Sequence, residues 1–398
     1  MREAWFDRLL VVTHVPHYQY EGKTYAYGPY TREINIWCDL FRQTVIAAPV
    51  RFGRPGGDCL PVHAQAKLEH LPESGGKGVL AKLRQITLLP LMAAKLLRLS
   101  RSADLMHIRC PGNLGFVGIL IAPFTKHRRI AKYAGQWTPI PGEGLSVRFQ
   151  RLLLQSRWWN APILAYTSGS TEKSSSVVPF TGAGLSEMEV AVARAAAARR
   201  GHTAPQRVLY VGRLSKAKNV DVLLKSIANL AERGIALECE IVGDGPERDS
   251  LQKNALSLGV SAKVSFTGGI TPSDVLERYA RADVLVLASD TEGWPKALME
   301  GMAFGLVCIG SDHGLSAEML ADGRGFLVPP RDSAALTNAL LSVLAMQPAD
   351  TQQMRNRAAT WAQRYTLEQF RDSLVRVLKT TRGNTEPGRH AARVGVNA

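Results

Sequence analysis

Two glutamates with seven residues between them follow a short apolar run in the second half of the chain. The run, residues 282–288, is typical of a buried parallel strand. Pro295 suits the first turn of a helix because its missing N–H would be unpaired there. A helix from Pro295 to Phe304 would begin at the carboxyl edge of the sheet, where open α/β sheets bind ligands. Glu300 would lean back toward Glu292, and two carboxylates beside free amides suit a sugar or a ribose.

Two basic residues, Arg213 and Lys218, flank a loop at the end of the first predicted strand of the second half. Cations at such a place can neutralise a diphosphate, both while it binds and as its charge grows when a sugar–phosphate bond breaks. Taken alone, both pairs have simpler interpretations, as surface cations and as carboxylates that favour a helix dipole. Their occurrence in one half of the chain favours the diphosphate interpretation.

These segments resemble the retaining glycosyltransferases of family 4, which have the two-domain GT-B fold. The glutamates lie within Glu-Gly-Trp-Pro and Ala-Phe-Gly, and the cations lie within Gly-Arg-Leu-x-x-x-Lys-Asn, in a similarity that extends over about residues 207–332. The resemblance implies that Arg213 and Lys218 hold the leaving nucleotide, that Glu292 lies beside the donor sugar, and that Glu300 holds the ribose. It also implies further nucleotide contacts from Gly212, Gly243, Gly268, Ile270, Gly293 and Trp294.

The first half departs from the family pattern. Where members usually have a Gly-Gly pair facing the donor phosphate, this chain has Gly28 followed by Pro29, which offers no N–H. Gly28 is the expected contact there. The stretch 132–137, where many members place a histidine near the reacting carbon, contains none. His14, His17 and His107 are the alternatives, each also explained by a structural or solvated role, and Arg109 could bind an anionic acceptor.

Strand and helix signals alternate through both halves and predict an α/β protein of the GT-B type, with two Rossmann-like domains facing across a cleft. We expect residues 1–185 to bind the acceptor and residues 186–359 to bind the nucleotide-sugar. The resemblance suggests that a helix at about 360–380 crosses back to the first domain. The polar residues 381–398 predict a disordered tail. A polar, aromatic loop is predicted between His14 and Tyr30, followed by a helix with Thr31 as its N-cap.

The chain of 398 residues has a formal net charge of +15, concentrated in residues 1–185, which hold 23 Lys/Arg and 11 Asp/Glu. This balance indicates an anionic partner or only a solubilising charge. Residues 78–100 and 145–159 combine basic with apolar side chains, including Arg148, Arg151 and Arg157, and could lie on anionic lipid. Packed helices with a solvated face are the alternative for both.

The longest apolar stretch is too short to span a bilayer, and no signal peptide is expected. Five scattered cysteines, without metal or disulfide spacing, fit a reducing compartment. The sequence therefore predicts a cytoplasmic protein that could associate peripherally with the inner membrane face.

The predicted function is transfer of a hexose-type sugar from a nucleotide diphosphate-sugar to a hydroxyl of a glycan or lipid-linked acceptor, with retention of configuration, in cell-surface polysaccharide or glycolipid synthesis. No cofactor and no metal are expected, since no Asp-x-Asp metal site is present in an obvious donor loop. Two alternatives remain: another GT-B enzyme, such as a sugar-nucleotide epimerase, or a basic nucleotide- or nucleic-acid-binding protein. No nucleic-acid motif accompanies the charge, so no nucleic-acid partner is expected.

Overall fold

The computed structural model describes residues 6–73, 79–125, 128–140, 143–167, 176–182, 184–201 and 205–383, with the backbone alone for residues 6, 79–86 and 382–383. The strands are β1 (Phe6–Val12), β2 (His17–Tyr20), β3 (Lys23–Tyr27), β4 (Phe41–Ala48), β5 (Val50–Phe52), β6 (Cys59–Pro61), β7 (Ala66–His70), β8 (Leu105–Cys110), β9 (Arg128–Gln136), β10 (Ile163–Tyr166), β11 (Val177–Pro179), β12 (Arg207–Val211), β13 (Glu238–Val242), β14 (Val264–Gly268), β15 (Val284–Leu287), β16 (Val307–Ser311) and β17 (Phe326–Val328). The α-helices are α1 (Gly28–Asp39), α2 (Val79–Ser100), α3 (Asn113–Ile121), α4 (Leu145–Gln155), α5 (Glu187–Ala198), α6 (Val220–Glu232), α7 (Arg248–Ser257), α8 (Pro272–Arg281), α9 (Lys296–Ala303), α10 (Gly314–Leu320), α11 (Ser333–Ala345), α12 (Pro348–Ala362) and α13 (Leu367–Gly383).

A seven-stranded parallel sheet, as far as the chain is described, forms the first half, in the order β11-β10-β9-β8-β1-β4-β7. Its central strand β1 is apolar from Leu9 to Val12 and buried there, because helices cover both faces of a parallel sheet. The chain runs from β1 to one side through β4 and β7, then returns to β8 on the other side. The strand order therefore reverses between β1 and β8, where a doubly wound sheet opens a crevice.

The second half repeats this plan with six parallel strands in the order β14-β13-β12-β15-β16-β17, counted over its described residues. The reversal here lies between β12 and β15. The four residues of β15 are all buried, as the apolar run predicted. Strand-by-strand alternation with helices confirms the prediction of a second Rossmann-like unit.

A third, four-stranded sheet occupies the segment for which a loop was predicted, so that prediction was wrong. It has the order β5-β2-β3-β6, and β2 and β3 form an antiparallel hairpin. The hairpin turns at Glu21 and Gly22, which both have positive φ angles, 49° and 72°. Such turns match the twist of the flanking strands. The sequence signal was the Glu-Gly pair between two alternating segments.

Helix α1 begins three residues before the expected N-cap. Thr31 lies inside the helix, where its hydroxyl donates to the carbonyls of Ala26 (2.9 Å) and Tyr27 (3.1 Å). Pro29 fits the first turn because that position needs no N–H. The helix therefore begins at the end of β3 and reaches the edge of the crevice.

The last helix packs on the first sheet, although it follows the second in sequence. Phe370, Leu374 and Leu378 of α13 are buried in one apolar cluster with Leu9 and Trp37 of the first half. The preceding helix α12 instead contributes to the apolar core of the second half. The chain thus returns to the first half between Ala362 and Leu367. The boundary at residue 185 stays a prediction.

The predicted disordered tail began at residue 381, but α13 continues to Gly383, so the first three residues of that segment are helical. Residues 384–398 lie outside the described residues. All five cysteines are unpaired. No helix among the described residues combines the length and the apolarity needed to cross a bilayer.

Replacing Phe370 by Ala should lower the free energy of unfolding by about 3–5 kcal/mol, because it leaves a cavity beneath the first sheet. The ring is 1% exposed and meets Phe180 edge to face at 5.1 Å. Urea unfolding followed by circular dichroism measures this change. Phe52→Ala, at a ring that is 82% exposed, is the matched control, and an equal loss in both variants would contradict the packing role of α13.

Candidate functional site

A cavity of about 760 Å³ lies between the two halves. It opens at the carboxyl ends of the strands beside both order reversals, where loops and helix starts provide polar groups. Its volume is within the range of small-molecule sites. The lining residues of the first half include His14, Tyr18, Tyr27, Gly28, Arg32, Arg51, Asp58, Gly112 and Asn113, and those of the second half include Gly212, Arg213, Gly243, Asp244, Gly245, Gly269, Ile270, Lys296 and Glu300.

Two backbone turns on the second-half wall pack against each other without side chains. Gly243 has a φ of 135°, and a Cβ there would lie 2.0 Å from the carbonyl oxygen of Gly212. A Cβ at Gly245 would lie 2.2 Å from the carbonyl oxygen of Leu214. Glycine is therefore required at both positions. The packed turns bring backbone to the cavity surface, where a ligand can approach it closely.

The two predicted motifs of the second half meet through a direct ion pair. The Lys218 ammonium lies 2.6 Å from Oε1 of Glu292, and both side chains are mostly buried, at 22% and 11% exposure. The adjacent Asn219 amide donates to the carbonyl of Ala288 (2.9 Å) and to Asp290 (2.8 Å), which fixes the loop after β12 to the end of β15. Seventy-odd residues of sequence thus separate groups that the sheet places side by side.

Arg213 lines the cavity and is exposed, whereas Lys218 and Glu292 are outside the lining residues. The Glu292 carboxylate is nevertheless close enough to act on the cavity wall. Partial desolvation, followed by the charges of Asp58, Glu300 and Glu292, raises the pKa of Tyr27 to about 12, and the Arg213 charge opposes the shift. The charges of Arg213, Glu292 and Glu300 therefore all act on Tyr27.

Glu300 lines the cavity from the second turn of α9. Its Oε2 accepts a hydrogen bond from the Tyr279 hydroxyl at 3.0 Å. Burial raises the pKa of Glu300, while the charges of Arg32 and Lys296 act in the opposite direction. The carboxylate keeps a second oxygen for a ligand hydroxyl, since an ionised carboxylate accepts several hydrogen bonds.

The other predicted nucleotide contacts divide into two groups. Gly28, Gly212, Gly243 and Ile270 line the cavity, but Gly268, Gly293 and Trp294 are not among its lining residues, and Gly269 takes the place expected for Gly268. The Gly28 amide donates to the carbonyl of Asp58 at 2.8 Å, so its N–H already has a partner, and the predicted contact of Gly28 with a phosphate stays a prediction.

Gly293 and Trp294 hold the two halves together. A Cβ at Gly293 would lie 2.5 Å from the carbonyl oxygen of Ala134 in β9. The Trp294 ring lies 5.8 Å from that of Tyr166 and 5.4 Å from that of Tyr365. The structure thus places Trp294 outside the lining residues of the cavity, and its predicted nucleotide contact stays a prediction.

A buried charge cluster beside the cavity was missed by sequence reasoning. Glu33 of α1 is 3% exposed and pairs with Lys296 of α9 (3.1 Å) and Arg109 of β8 (3.3 Å). Lys296 also donates to the carbonyl of Pro29 at 2.9 Å. Arg109, for which an anionic acceptor was considered, therefore already has a carboxylate partner. The available signal was a charged residue at helical spacing from the apolar Tyr30 and Trp37.

Burial and the charges within this cluster shift the pKa values of its members. Burial alone would raise the pKa of Glu33, but the charges of Lys296, Lys132 and Arg109 outweigh it and hold the pKa well below its usual value. Burial lowers the pKa of Lys132 to about 7. Its ammonium lies 4.3 Å from the centre of the Tyr166 ring and 4.5 Å from that of Phe180.

Of the three candidate histidines, His14 lines the cavity. His107 is buried and stacks on Trp37 with ring centres 4.2 Å apart. His17 is buried against Tyr30, with ring centres 5.5 Å apart. Both are therefore core residues, and burial, aided at His14 and His107 by the Arg109 charge, lowers the pKa of all three.

Replacing Glu33 by Gln should lower the free energy of unfolding by about 3–5 kcal/mol at neutral pH, because two buried cations lose their partner. The folded pKa of Glu33 lies below its usual 4.5, so the ionised carboxylate stabilises the protein above that pH and loses this effect as the pH falls. The difference between variant and wild type should therefore shrink below about pH 4.5. Urea unfolding at several pH values tests this, with exposed Glu232→Gln as the control. A difference that stays constant with pH would contradict it.

Known proteins of similar sequence match the second half of the chain. Residues 196–361 match the family described as Glycosyl transferases group 1. Glycogen synthase from Mycobacterium tuberculosis is 32% identical over 197 residues, which cover 48% of this chain and 47% of that protein. The amylovoran biosynthesis glycosyltransferase AmsK from Erwinia amylovora is 33% identical over 145 residues, covering 34% and 35%. The chain thus spans about half or less of the length of these curated relatives.

Whole-chain similarity is found at the level of structure. HepE from Anabaena, solved in complex with UDP and glucose, superposes with a TM-score of 0.67 at 16% identity and covers 94% of this chain and 99% of that one. This likeness shows the fold, which is GT-B with two Rossmann-like α/β domains, as the sequence predicted.

Proposed function

We propose that this chain, whose residues 196–361 form a domain of the glycosyl transferases group 1 family, is a retaining glycosyltransferase of the family 4 type. It would move a sugar from a nucleotide diphosphate-sugar to an acceptor hydroxyl. The observation that carries the proposal is that Arg213 and Glu300 line one cavity between two order reversals, with the Lys218–Glu292 ion pair beside it. These groups lie on two segments, one that follows β12 and one that follows β15, so their proximity is a property of the fold.

The proposed roles follow from charge and position. Arg213 on the cavity wall and Lys218 behind it neutralise the diphosphate as the sugar–phosphate bond breaks. Glu292 orients Lys218 through the 2.6 Å ion pair and lies toward the donor sugar. Glu300 takes the ribose hydroxyls with its remaining oxygen. Gly212 and Gly243 allow the phosphates close to the backbone.

In this proposal the donor needs no metal, because the two cations supply the charge that would otherwise neutralise the leaving group. The acceptor enters from the first half, whose wall contributes His14, Arg32 and Asn113. A role in cell-surface polysaccharide or glycolipid synthesis is supported by the amylovoran relative, and a uridine nucleotide is the first donor to test because HepE was solved with UDP.

Thermal-shift measurements with UDP, GDP and ADP, followed by product analysis with the corresponding sugar nucleotides, test the proposal. A ligand that binds only the folded state raises the melting temperature. Release or transfer of the sugar with a free nucleoside diphosphate supports it. Isomerisation of the sugar without release would indicate an epimerase instead, and stabilisation by nucleic acid alone would indicate a binding protein.

The cations give the sharpest test of the donor site. Arg213→Ala and Lys218→Ala should each lower turnover by on the order of a hundredfold or more, since removing a charge-assisted contact to a developing anion costs about 2–4 kcal/mol. Lys216→Ala is the matched control, because Lys216 is an exposed lysine on the same 3₁₀ turn. Donor turnover and melting temperature are measured for all three. Unchanged turnover in both site variants would reject the diphosphate assignment.

A second part of the proposal concerns an anionic membrane surface. The exposed side of α4 carries Leu145, Phe149 and Leu152, at 81%, 49% and 63% exposure. Phe124 and Trp158, whose ring centres lie 6.2 Å apart, are exposed as well. An apolar surface with adjacent cations suits the interface of an anionic bilayer.

The cations of this surface differ from those expected. Arg148 and Arg157 are exposed, but Arg151 is buried, where it donates to the carbonyl of Trp137 at 2.9 Å and pairs with Glu143. The predicted membrane contact of Arg151 is therefore wrong. The helix turns that position inward, so Arg151 anchors α4 to the loop that precedes it.

Replacing Arg148 and Arg157 by Gln should weaken sedimentation with anionic vesicles roughly 30-fold, at about 1 kcal/mol for each cation near the surface. Binding of the wild type should also decrease as salt rises, because screening shortens the reach of the charges. Arg199→Gln with Arg233→Gln, at exposed positions of the second half, is the control. Equal binding of the wild type to neutral and anionic vesicles, or to neither, would contradict the proposal.

A further inference from the structure

One face of the small sheet β5-β2-β3-β6 carries four tyrosines. The hairpin register pairs Tyr18 with Tyr25 and Tyr20 with Lys23, and directly paired residues point to the same side. Tyr27 is two residues beyond Tyr25 in β3 and shares that side. These residues, Tyr18, Tyr20, Tyr25 and Tyr27, are called the tyrosine face below.

The neighbouring strands extend the same face. Arg51 of β5 pairs with Tyr18, and its guanidinium lies 5.9 Å from the centre of that ring and donates to its hydroxyl at 3.2 Å. Arg51 also pairs with Glu73 at 2.6 Å, so its position is fixed. At the other edge of the same face, Cys59 of β6 pairs with Tyr27.

The opposite face of the sheet is buried at one end and exposed at the other. His17 and Ala26, which are paired across the hairpin, are buried in contact with the core of the first half. Farther along that side, Gln19 and Phe52 are exposed. Since burial anchors one side of the sheet, the direction in which the tyrosines point is determined by the pleat.

The tyrosine face is continuous with the candidate donor site. Tyr18, Tyr27, Arg51 and Cys59 all line the cavity. At its inner end, Tyr27 lies in the field of Glu300, Glu292 and Arg213. At its outer end, Tyr20 and Lys23 border the hairpin turn. A row of aromatic side chains therefore leads from the reacting groups to the outside of the protein.

We propose that the tyrosine face is an extended subsite for an oligosaccharide acceptor, which places its terminal hydroxyl near Tyr27 and its preceding sugar residues along Tyr25, Tyr18 and Tyr20. This inference rests on the proposed glycosyltransferase function and specifies its acceptor as a chain of several sugars. The geometry that carries it is the register of the hairpin together with the shared cavity wall.

The chemistry of the face fits a sugar chain. Tyrosine combines a flat apolar ring, which matches the C–H face of a pyranose, with a hydroxyl that exchanges hydrogen bonds with sugar hydroxyls. Tyrosines do so at a small cost in conformational entropy. From Tyr27 to Lys23, the partner of Tyr20, the row extends over four residue steps of β3, which at about 3.4 Å per residue makes it roughly 14 Å long and longer than a single sugar. The exposed phenylalanine, Phe52, is on the other side, so the face itself presents hydroxyls and cations rather than a lipid-like surface.

The test uses an array of immobilised linear hexose and N-acetylhexosamine oligosaccharides of one to six residues, probed with the full chain in the absence of any nucleotide. The wild type should bind longer chains more tightly than monosaccharides. The double variant Tyr18→Ala, Tyr20→Ala should bind them roughly tenfold more weakly, since two stacking contacts are lost. The pair Tyr18→Phe, Tyr20→Phe keeps the rings and should retain most of the binding.

Phe52→Ala is the matched control, because it removes an exposed ring from the opposite face of the same sheet. The inference is overturned if the wild type binds nothing longer than a monosaccharide, or if Phe52→Ala weakens binding as much as the tyrosine variants do. Its failure is separable from that of the proposed function. Nucleotide stabilisation without glycan binding rejects the extended subsite alone, whereas glycan binding without any nucleotide-sugar turnover rejects the enzyme.

Discussion

A buried carboxylate between two helices holds the site in place. Glu33 of α1 pairs at 3.1 Å with Lys296, which is the first residue of α9. Because both groups are largely removed from water, their pairing stabilises the contact between the halves, while Arg109 gives Glu33 a second partner within the first half. The same first turn of α9 leads to Glu300 in the cavity wall. The ion pair therefore connects the first half to the helix that carries Glu300.

Parallel sheets explain why the other candidate residues converge. Each half reverses its strand order once, and the carboxyl ends beside the reversals face the same cavity. Residues far apart in sequence, such as Lys218 and Glu292, become neighbours because β12 and β15 are adjacent strands. The glycines of the intervening turns let backbone replace side chains there. The sheet topology thus determines where the candidate residues meet, and the individual side chains determine which chemical groups are present there.

In the first half, a small sheet is found where a loop was predicted. The segment after β1 folds into β2 and β3, and the loop before β6 then meets the second half, where a Cβ at Gly57 would lie 2.6 Å from the carbonyl oxygen of Gly269. The amide of Gly28 is consequently used for the Asp58 carbonyl. The sheet thereby places Tyr18 and Tyr27 in the wall of the cavity.

The sequence by itself determined the α/β alternation and the strand β15 with its following helix, because apolar periodicity and turn chemistry are local; the candidate site residues of the second half stay a prediction. The tertiary structure decided what depends on distant partners. It moved Trp294 to the contact between the halves, turned Arg151 inward, and paired Arg109 with Glu33. A local pattern records that a side chain is polar or aromatic, but only the packed fold shows which group compensates its charge or covers its ring.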